Sequence, residues 1–273
     1  MPRKLEYNAK ISQRIDISPG LAIFRVVPDE SLFAFKPGQY SVLGLKRKEA
    51  RAPGSDPDVE ESQNKDPEEM ILRAYSIASS SVDKEFVEFY VAQVESGELT
   101  PRLFNLKNGD PLYLGPKAAG IFTLDQVPQG QHVFLIATGT GLAPYISMVR
   151  TQLRDHPDRL FVVLHGARHS WDLGYRDELN SLARYFPNLK YFPSISNPKG
   201  DVTWKGLAGR VQIFIENDFV EQAIGRKITP DDFHIFLCGN PAMIETVIAM
   251  MEERGFRKGT RQESGNIHIE EYW

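Results

Sequence analysis

The chain has 273 residues, 25% of them charged and 41% hydrophobic, with a net charge of −4; it is globular, long enough for two domains, and lacks the basic footprint of a nucleic-acid binder. Its one cysteine, Cys238, excludes an internal disulfide, a cysteine-ligated iron–sulfur cluster and a Cys-rich zinc site. No apolar run approaches the ~20 residues that span a bilayer, and Met1-Pro2-Arg3-Lys4-Leu5-Glu6 lacks the apolar core of a signal peptide, so a cytoplasmic protein without membrane contact is expected.

Residues Ile11 to Ile17 alternate, Ser18-Pro19-Gly20 is a turn, and Leu21 to Val27 is apolar and β-branched, which together read as a hairpin. A third strand runs from Tyr40 to Leu45. Residues 46–69 then carry 13 charged residues, three prolines and no aromatic. Such a stretch buries too little to order itself, and a mobile loop is expected, most simply a tolerated surface insertion.

Ile71 to Ser79 reads as a strand by its β-branched and aromatic content. Within it, Arg73-Ala74-Tyr75-Ser76 offers a forked donor for phosphate, a flat ring for stacking and a hydroxyl for a ring nitrogen. Those are the three contacts of a flavin nucleotide, although an ordinary edge strand accounts for the same residues. Phe86 to Val94 alternates strongly. Thr100 suits a helix N-cap and Pro101 the first helical position, predicting a short helix to about Lys107 whose free amides suit a diphosphate. Asn108-Gly109-Asp110 turns into a strand from Pro111 to Leu114. Many short strands with one small helix predict an antiparallel Greek-key β-barrel over residues 1–124.

From residue 125 to 273 the pattern changes to buried strands alternating with helices. Strands are expected at Val133–Ala137, Leu160–Leu164, Leu189–Ser194, Phe233–Leu237 and Asn266–Ile269. Helices are expected at Tyr145–Leu153, 176–186, 209–223 and Pro241–Glu253. This predicts an α/β doubly wound parallel sheet.

Thr138-Gly139-Thr140-Gly141-Leu142-Ala143-Pro144 joins a buried strand to a helix, and its glycines let a phosphate approach the backbone. Pro144 stands where the third glycine of the ordinary dinucleotide fingerprint would be. Beyond the second strand the chain reads His165-Gly166-Ala167-Arg168-His169-Ser170. An enzyme that prefers NAD usually places an acid here, whereas Arg168 and Arg176 suit a 2′-phosphate and hence NADP. Tyr175 is a candidate to stack on the adenine. His165 and His169 sit at a strand end with no third ligand nearby, so no metal is expected. Cys238-Gly239-Asn240-Pro241 ends the fourth strand, and its thiol either packs beside a nicotinamide or is an ordinary buried cysteine. The two terminal aromatics, Tyr272 and Trp273, need something flat to cover, and Glu270 beside them is placed to relay a proton.

In this order, Arg73-Ala74-Tyr75-Ser76, Gly97-Glu98-Leu99-Thr100-Pro101, Gly139-Thr140-Gly141-Leu142-Ala143-Pro144, Cys238-Gly239-Asn240-Pro241 and Tyr272-Trp273 are highly specific. The sequence resembles bacterial ferredoxin–NADP reductases of the plant-type superfamily over nearly its full length. The resemblance implies FAD in the barrel, with Arg73 on its phosphate, Tyr75 on the isoalloxazine, Ser76 at N5 and Thr100 supporting the diphosphate. It implies that Tyr272 covers the flavin face and that Trp273 stacks on the FAD adenine, with Glu270 matching the family's carboxylate. NADP(H) would occupy the second domain, and ferredoxin or flavodoxin would receive single electrons from a monomeric enzyme. A flavin reductase, the reductase component of an oxygenase, and a non-catalytic nucleotide-binding redox sensor are the competing readings. The charged 46–69 stretch departs from the family pattern.

Overall fold

The computed structural model describes residues 5–59, 65–259 and 265–271. The chain divides into two compact units, Met1–Ile121 and Phe122–Trp273. The division falls ahead of the 124/125 boundary expected from sequence because the Phe122 ring packs against Phe236 and Tyr145, with centroids 5.3 and 6.1 Å away.

The first unit is a six-stranded antiparallel barrel. Its strands are β1 (Ala9–Ser18), β2 (Leu21–Pro28), β3 (Tyr40–Lys46), β4 (Met70–Ser76), β5 (Val87–Ala92) and β6 (Pro111–Leu114). They are ordered β4-β3-β6-β1-β2-β5, a Greek-key arrangement in which β6 inserts between β1 and β3. Alternation turns Phe24, Val26, Leu43, Leu45, Phe89 and Leu112 into a shared core. The sheet closes where Ile77 bridges Phe89 and the Ala78 amide donates to the Glu88 carbonyl at 2.7 Å.

The helix expected from Thr100 to about Lys107 is shorter. α1 covers Thr100–Leu103, and tight turns then bring Phe104 and Leu106 into the core beside Leu103. Leu99, not Thr100, is its N-cap residue. The Thr100 hydroxyl accepts from the Val94 amide at 2.9 Å and donates to the Val94 carbonyl at 3.2 Å.

The charged stretch expected to be a mobile loop is instead anchored on both of its described sides. The Arg47 amide donates to Glu69, the Lys48 amide to Pro67 and the Ala52 amide to Pro101. Arg47 pairs with Glu69 at 3.0 Å and with Glu98 at 2.8 Å. Arg102, almost fully buried, pairs with Asp58, which also takes Arg51 at 2.7 Å. Composition shows how little a segment can bury, but not that its charges find partners elsewhere.

The second unit is a parallel sheet ordered β10-β9-β8-β7-β11-β12. Its strands are β7 (His132–Thr138), β8 (Phe161–Ala167), β9 (Leu189–Ile195), β10 (Leu207–Ala208), β11 (Phe233–Gly239) and β12 (Ile267–Glu271). Its helices are α2 (Ala143–Gln152), α3 (Arg176–Tyr185), α4 (Val211–Glu216), α5 (Phe219–Ile224) and α6 (Pro241–Glu253). Phe134, Ile136, Val162 and Leu164 face a core closed by α4, α5 and α6. α2 and α3 are tied side by side by a two-point pair between Arg150 and Glu178, at 2.7 and 2.8 Å.

The single helix expected at 209–223 is two, broken at Asp218, which has a φ of 55°. Arg254 satisfies the break by donating to the Ile215 carbonyl at 2.6 Å and to Asp218 at 2.9 Å. Among the described residues, no helix is long and apolar enough to cross a membrane.

Candidate functional site

In the first unit the candidate residues lie on β4, where Arg73 stands opposite Leu43 and Ser76 opposite Tyr40. Arg73 and Ala74 are exposed, Tyr75 is half-buried and Ser76 is buried. The strand thus offers a guanidinium and open backbone at its centre, with an aromatic ring and a hydroxyl towards its end. Tyr75 is held edge-on by Phe89, with centroids 6.5 Å apart. Burial pushes its phenol well above the ordinary range.

Arg73 does not stand alone. Its guanidinium donates to the Leu72 carbonyl at 2.8 Å and to the Glu98 carboxylate at 3.1 Å. The same carboxylate receives Arg47 at 2.8 Å. Sequence reasoning gave neither Glu98 nor Arg47 a role at this site, although Glu98 lies within the Gly97–Pro101 motif and Arg47 within the charged stretch. The Thr100 hydroxyl is committed to Val94 and is not free to bind a phosphate. The donor set still fits a flavin diphosphate. The Arg73 side chain is about half-exposed and its partner Glu98 is partly exposed, so an anion can displace the counter-ion.

In the second unit the candidates gather at the carboxyl ends of the strands, where ligands bind in open α/β sheets. Two glycine turns interlock there. Gly139 has a φ of 56° with open space where a side chain would project. A Cβ on Gly141 would collide with the Cys238 carbonyl, and one on Gly239, whose φ is 129°, would collide with Thr138. Thr138 Oγ1 accepts from the Asn240 amide at 2.8 Å, and Asn240 Oδ1 caps α6 by accepting from the Met243 amide at 3.2 Å. Only bare backbone can form this cradle, and its open side at Gly139 and Thr140 fits a diphosphate approaching main-chain amides.

Cys238 is fully buried and pairs in register with Ala137 on one side and Glu270 on the other. The thiol therefore lies beneath the strand end, with Glu270 half-buried beside it. Tyr145, which donates to the Ile136 carbonyl at 3.1 Å, is close enough to feel both groups. Tyr272 and Trp273 lie outside the described residues.

Arg168 is exposed just past β8, and Arg176 opens α3 with its guanidinium 5.6 Å from the Trp204 ring centre. Tyr175, expected to stack on an adenine, cannot do so. It is 8% exposed, sits at a φ of 60°, and has the Arg150 guanidinium 5.2 Å above its ring. Sequence periodicity does not reveal such a cover, because Arg150 comes from a different helix.

Two further features concern the burial of His165, weighed above only as a metal ligand, and the stacking of Trp171. His165 is fully buried, stacked on Tyr191 with its Nδ1 3.3 Å from the tyrosine oxygen. Its Nε2 lacks a partner at full hydrogen-bond geometry. Burial pulls the imidazole pKa down to about 4, opposed in part by the Gly139 backbone. The second feature is Trp171, about half-exposed, with its ring stacked on His169 at 4.5 Å and 14°.

Residues 135–248 match the model of the oxidoreductase NAD-binding domain family. The chain is 30% identical over 253 residues to the flavodoxin/ferredoxin–NADP reductase of Buchnera aphidicola from Schizaphis graminum, covering 92% of this chain and 93% of that one. It is 32% identical to the Escherichia coli protein of the same name, with the same coverage. Its fold is similar to a Neisseria gonorrhoeae ferredoxin–NADP+ reductase solved with bound FAD and NADP, with a TM-score of 0.80, 23% identity and 97% of both chains covered.

Proposed function

The chain belongs to the flavodoxin/ferredoxin–NADP reductase family, and we infer from that membership that it is a flavoprotein oxidoreductase moving electrons between NADPH and ferredoxin or flavodoxin. Bound FAD supplies the chemistry no side chain can, exchanging a hydride with NADPH and single electrons with the carrier. The chain's own residues bind, orient and exclude water.

The unit Met1–Ile121 is assigned the flavin. Arg73 is proposed to grip the diphosphate after releasing Glu98, and the open backbone at Ala74 lets the nucleotide lie along β4. Tyr75 presents its ring to the isoalloxazine. Ser76, withdrawn from water, offers its hydroxyl to the ring nitrogen N5. Thr100 contributes by fixing the first turn of α1 rather than through its own oxygen. The unit Phe122–Trp273 is assigned the coenzyme. Thr138, Gly139, Thr140 and Gly141 take its diphosphate, while Arg168 and Arg176 take the 2′-phosphate. Cys238 and Glu270, paired at the strand end, are proposed to bound the nicotinamide position, with Glu270 holding the exchangeable proton. Tyr272 and Trp273 are proposed to supply the aromatic covers that the resemblance implies. The enzyme is proposed to work as a cytoplasmic monomer.

The observation that carries this reading is the interlock of Gly141 and Gly239 at the carboxyl edge, which leaves a ligand facing backbone alone. The test is anaerobic addition of NADPH to the purified protein, followed by ferredoxin and flavodoxin in parallel. Bleaching of the flavin absorbance and reduction of either carrier are expected. A colourless protein, or a flavin that NADPH does not bleach, overturns the reading.

A further inference from the structure

Tyr175 is covered, so the adenine of the coenzyme needs another partner. Among the described Phe, Tyr and Trp residues of the second unit, only Trp171 and Tyr185 are strongly exposed, 49% and 81%. Tyr185 ends α3, a crossover helix that runs back from the carboxyl edge of the sheet, so it lies towards the amino ends of the strands. Trp204 is no better placed. Arg176 covers one face of its ring, and Gly206 packs so closely that an added Cβ would strike the ring.

Trp171 is different in each respect. It follows β8 at the carboxyl edge, three residues beyond the exposed Arg168. One face rests on His169 and about half of the residue remains open. The supporting imidazole is held at both nitrogens. Asn197 Nδ2 donates to Nε2 at 2.9 Å, and Nδ1 lies 3.1 Å from the Asp172 carboxylate. Both ring nitrogens therefore have a polar partner, which fixes the plane of the ring. The backbone beneath is pinned as well. The Ser170 amide donates to Asp201 at 2.7 Å, the Asn197 amide to the Arg168 carbonyl at 3.0 Å, and the Asp172 amide to the His169 carbonyl at 3.1 Å. A ring fixed in this way needs little ordering when a second ring stacks on it.

We propose that the open face of Trp171, backed by His169, is the stacking platform for the adenine of NADPH, with Arg168 beside it for the 2′-phosphate. This rests on the NADPH reading above and adds the residue that recognises the base.

The test titrates 2′-phospho-AMP and nicotinamide mononucleotide into the FAD-loaded protein by calorimetry. Trp171→Ala and Trp171→Leu should each weaken 2′-phospho-AMP binding roughly 10-fold, as loss of one base–aromatic stack does, and leave nicotinamide mononucleotide unchanged. Trp171→Phe should restore most of the affinity. In turnover, the Leu variant should raise the KM for NADPH and keep kcat. If both the Ala and Leu variants bind 2′-phospho-AMP as the parent does, the platform is overturned. A parent that fails to bind 2′-phospho-AMP at all sinks the NADPH reading itself, which separates the two failures.

Discussion

One carboxylate oxygen of Glu98 lies 3.1 Å from the Arg73 guanidinium, and the other lies 2.8 Å from Arg47. The arginine proposed to bind the flavin diphosphate therefore already carries a counter-ion, tethered from behind by a buried arginine. An incoming anion has to compete with that charge. Glu98→Gln keeps the acceptor and removes the charge, which at a partly exposed position is worth about 1 kcal/mol. FAD should then bind ~5-fold more tightly at low ionic strength, with the gain shrinking as salt screens it. Flavin fluorescence quenching during titration of the stripped protein measures this. Weaker FAD binding by Glu98→Gln would mean that Glu98 orients Arg73 rather than competing for it.

The anchoring of the charged insertion predicts its stability. Removing Asp58 leaves Arg102, 2% exposed, without its carboxylate. Arg102 keeps the Arg47 and Glu98 carbonyls, so Asp58→Ala should destabilise the barrel by about 2–3 kcal/mol, read as a lower denaturant midpoint. The parent should resist limited proteolysis within residues 46–59. Early cleavage there would show that the ion pairs do not hold the segment.

His165 sets a pH dependence. Its ordinary pKa of 6.5 falls to about 4 in the folded chain because burial disfavours the imidazolium. The unfolded chain therefore binds the proton first. The contribution is complete above pH ~6.5, is lost progressively as pH falls, and is gone by pH ~4, with an upper size of about 3 kcal/mol. His268, stacked on Phe236 and hydrogen-bonded to His234 at 2.8 Å, is also lowered to about 4 and acts in the same direction. Denaturant unfolding at pH 7.5, 6 and 5 should show this decline, and His165→Gln should flatten part of it. An equal slope in the variant would place the proton uptake elsewhere.

The glycine cradle makes the sharpest substitution. Gly141→Ala forces a methyl group into the Cys238 carbonyl, and the two turns must separate. Coenzyme affinity should fall by ~100-fold or more, while the flavin spectrum and FAD content remain those of the parent. A variant with normal affinity for NADP+ would show that the cradle does not hold the diphosphate.

Most strands were legible from their apolar pattern, alternating in the barrel and continuous in the parallel sheet. Val133–Ala137 is apolar throughout and became the buried core of β7, and α6 runs from Pro241 to Glu253 as its proline start predicts. What escaped was contact between distant positions. Arg73 and Glu98 are 25 residues apart, and Asp58 and Arg102 are 44 apart; a sequence displays both members of each pair but not their meeting. Tyr175 was misread for the same reason, since its cover, Arg150, belongs to the preceding helix. The break at Asp218 was hidden because both short helices keep apolar residues on one side, Phe214 and Ile215 before it and Val220 after it.

The barrel's closure has a kinetic consequence. Between β4 and β5 the described residues show a single bridge, Ile77 to Phe89, reinforced by the Ala78 amide, where the other neighbours share longer ladders. Breathing of the barrel should therefore begin at that seam. The Ala78 amide, which donates across the seam to Glu88, should exchange with deuterium ahead of those in the β1–β2 ladder. The strand beside the seam is the one that carries Arg73 to Ser76. The residence time of a flavin seated there should then follow the opening rate of the seam, and tightening this one rung would prolong retention of the dye without altering any group that touches it.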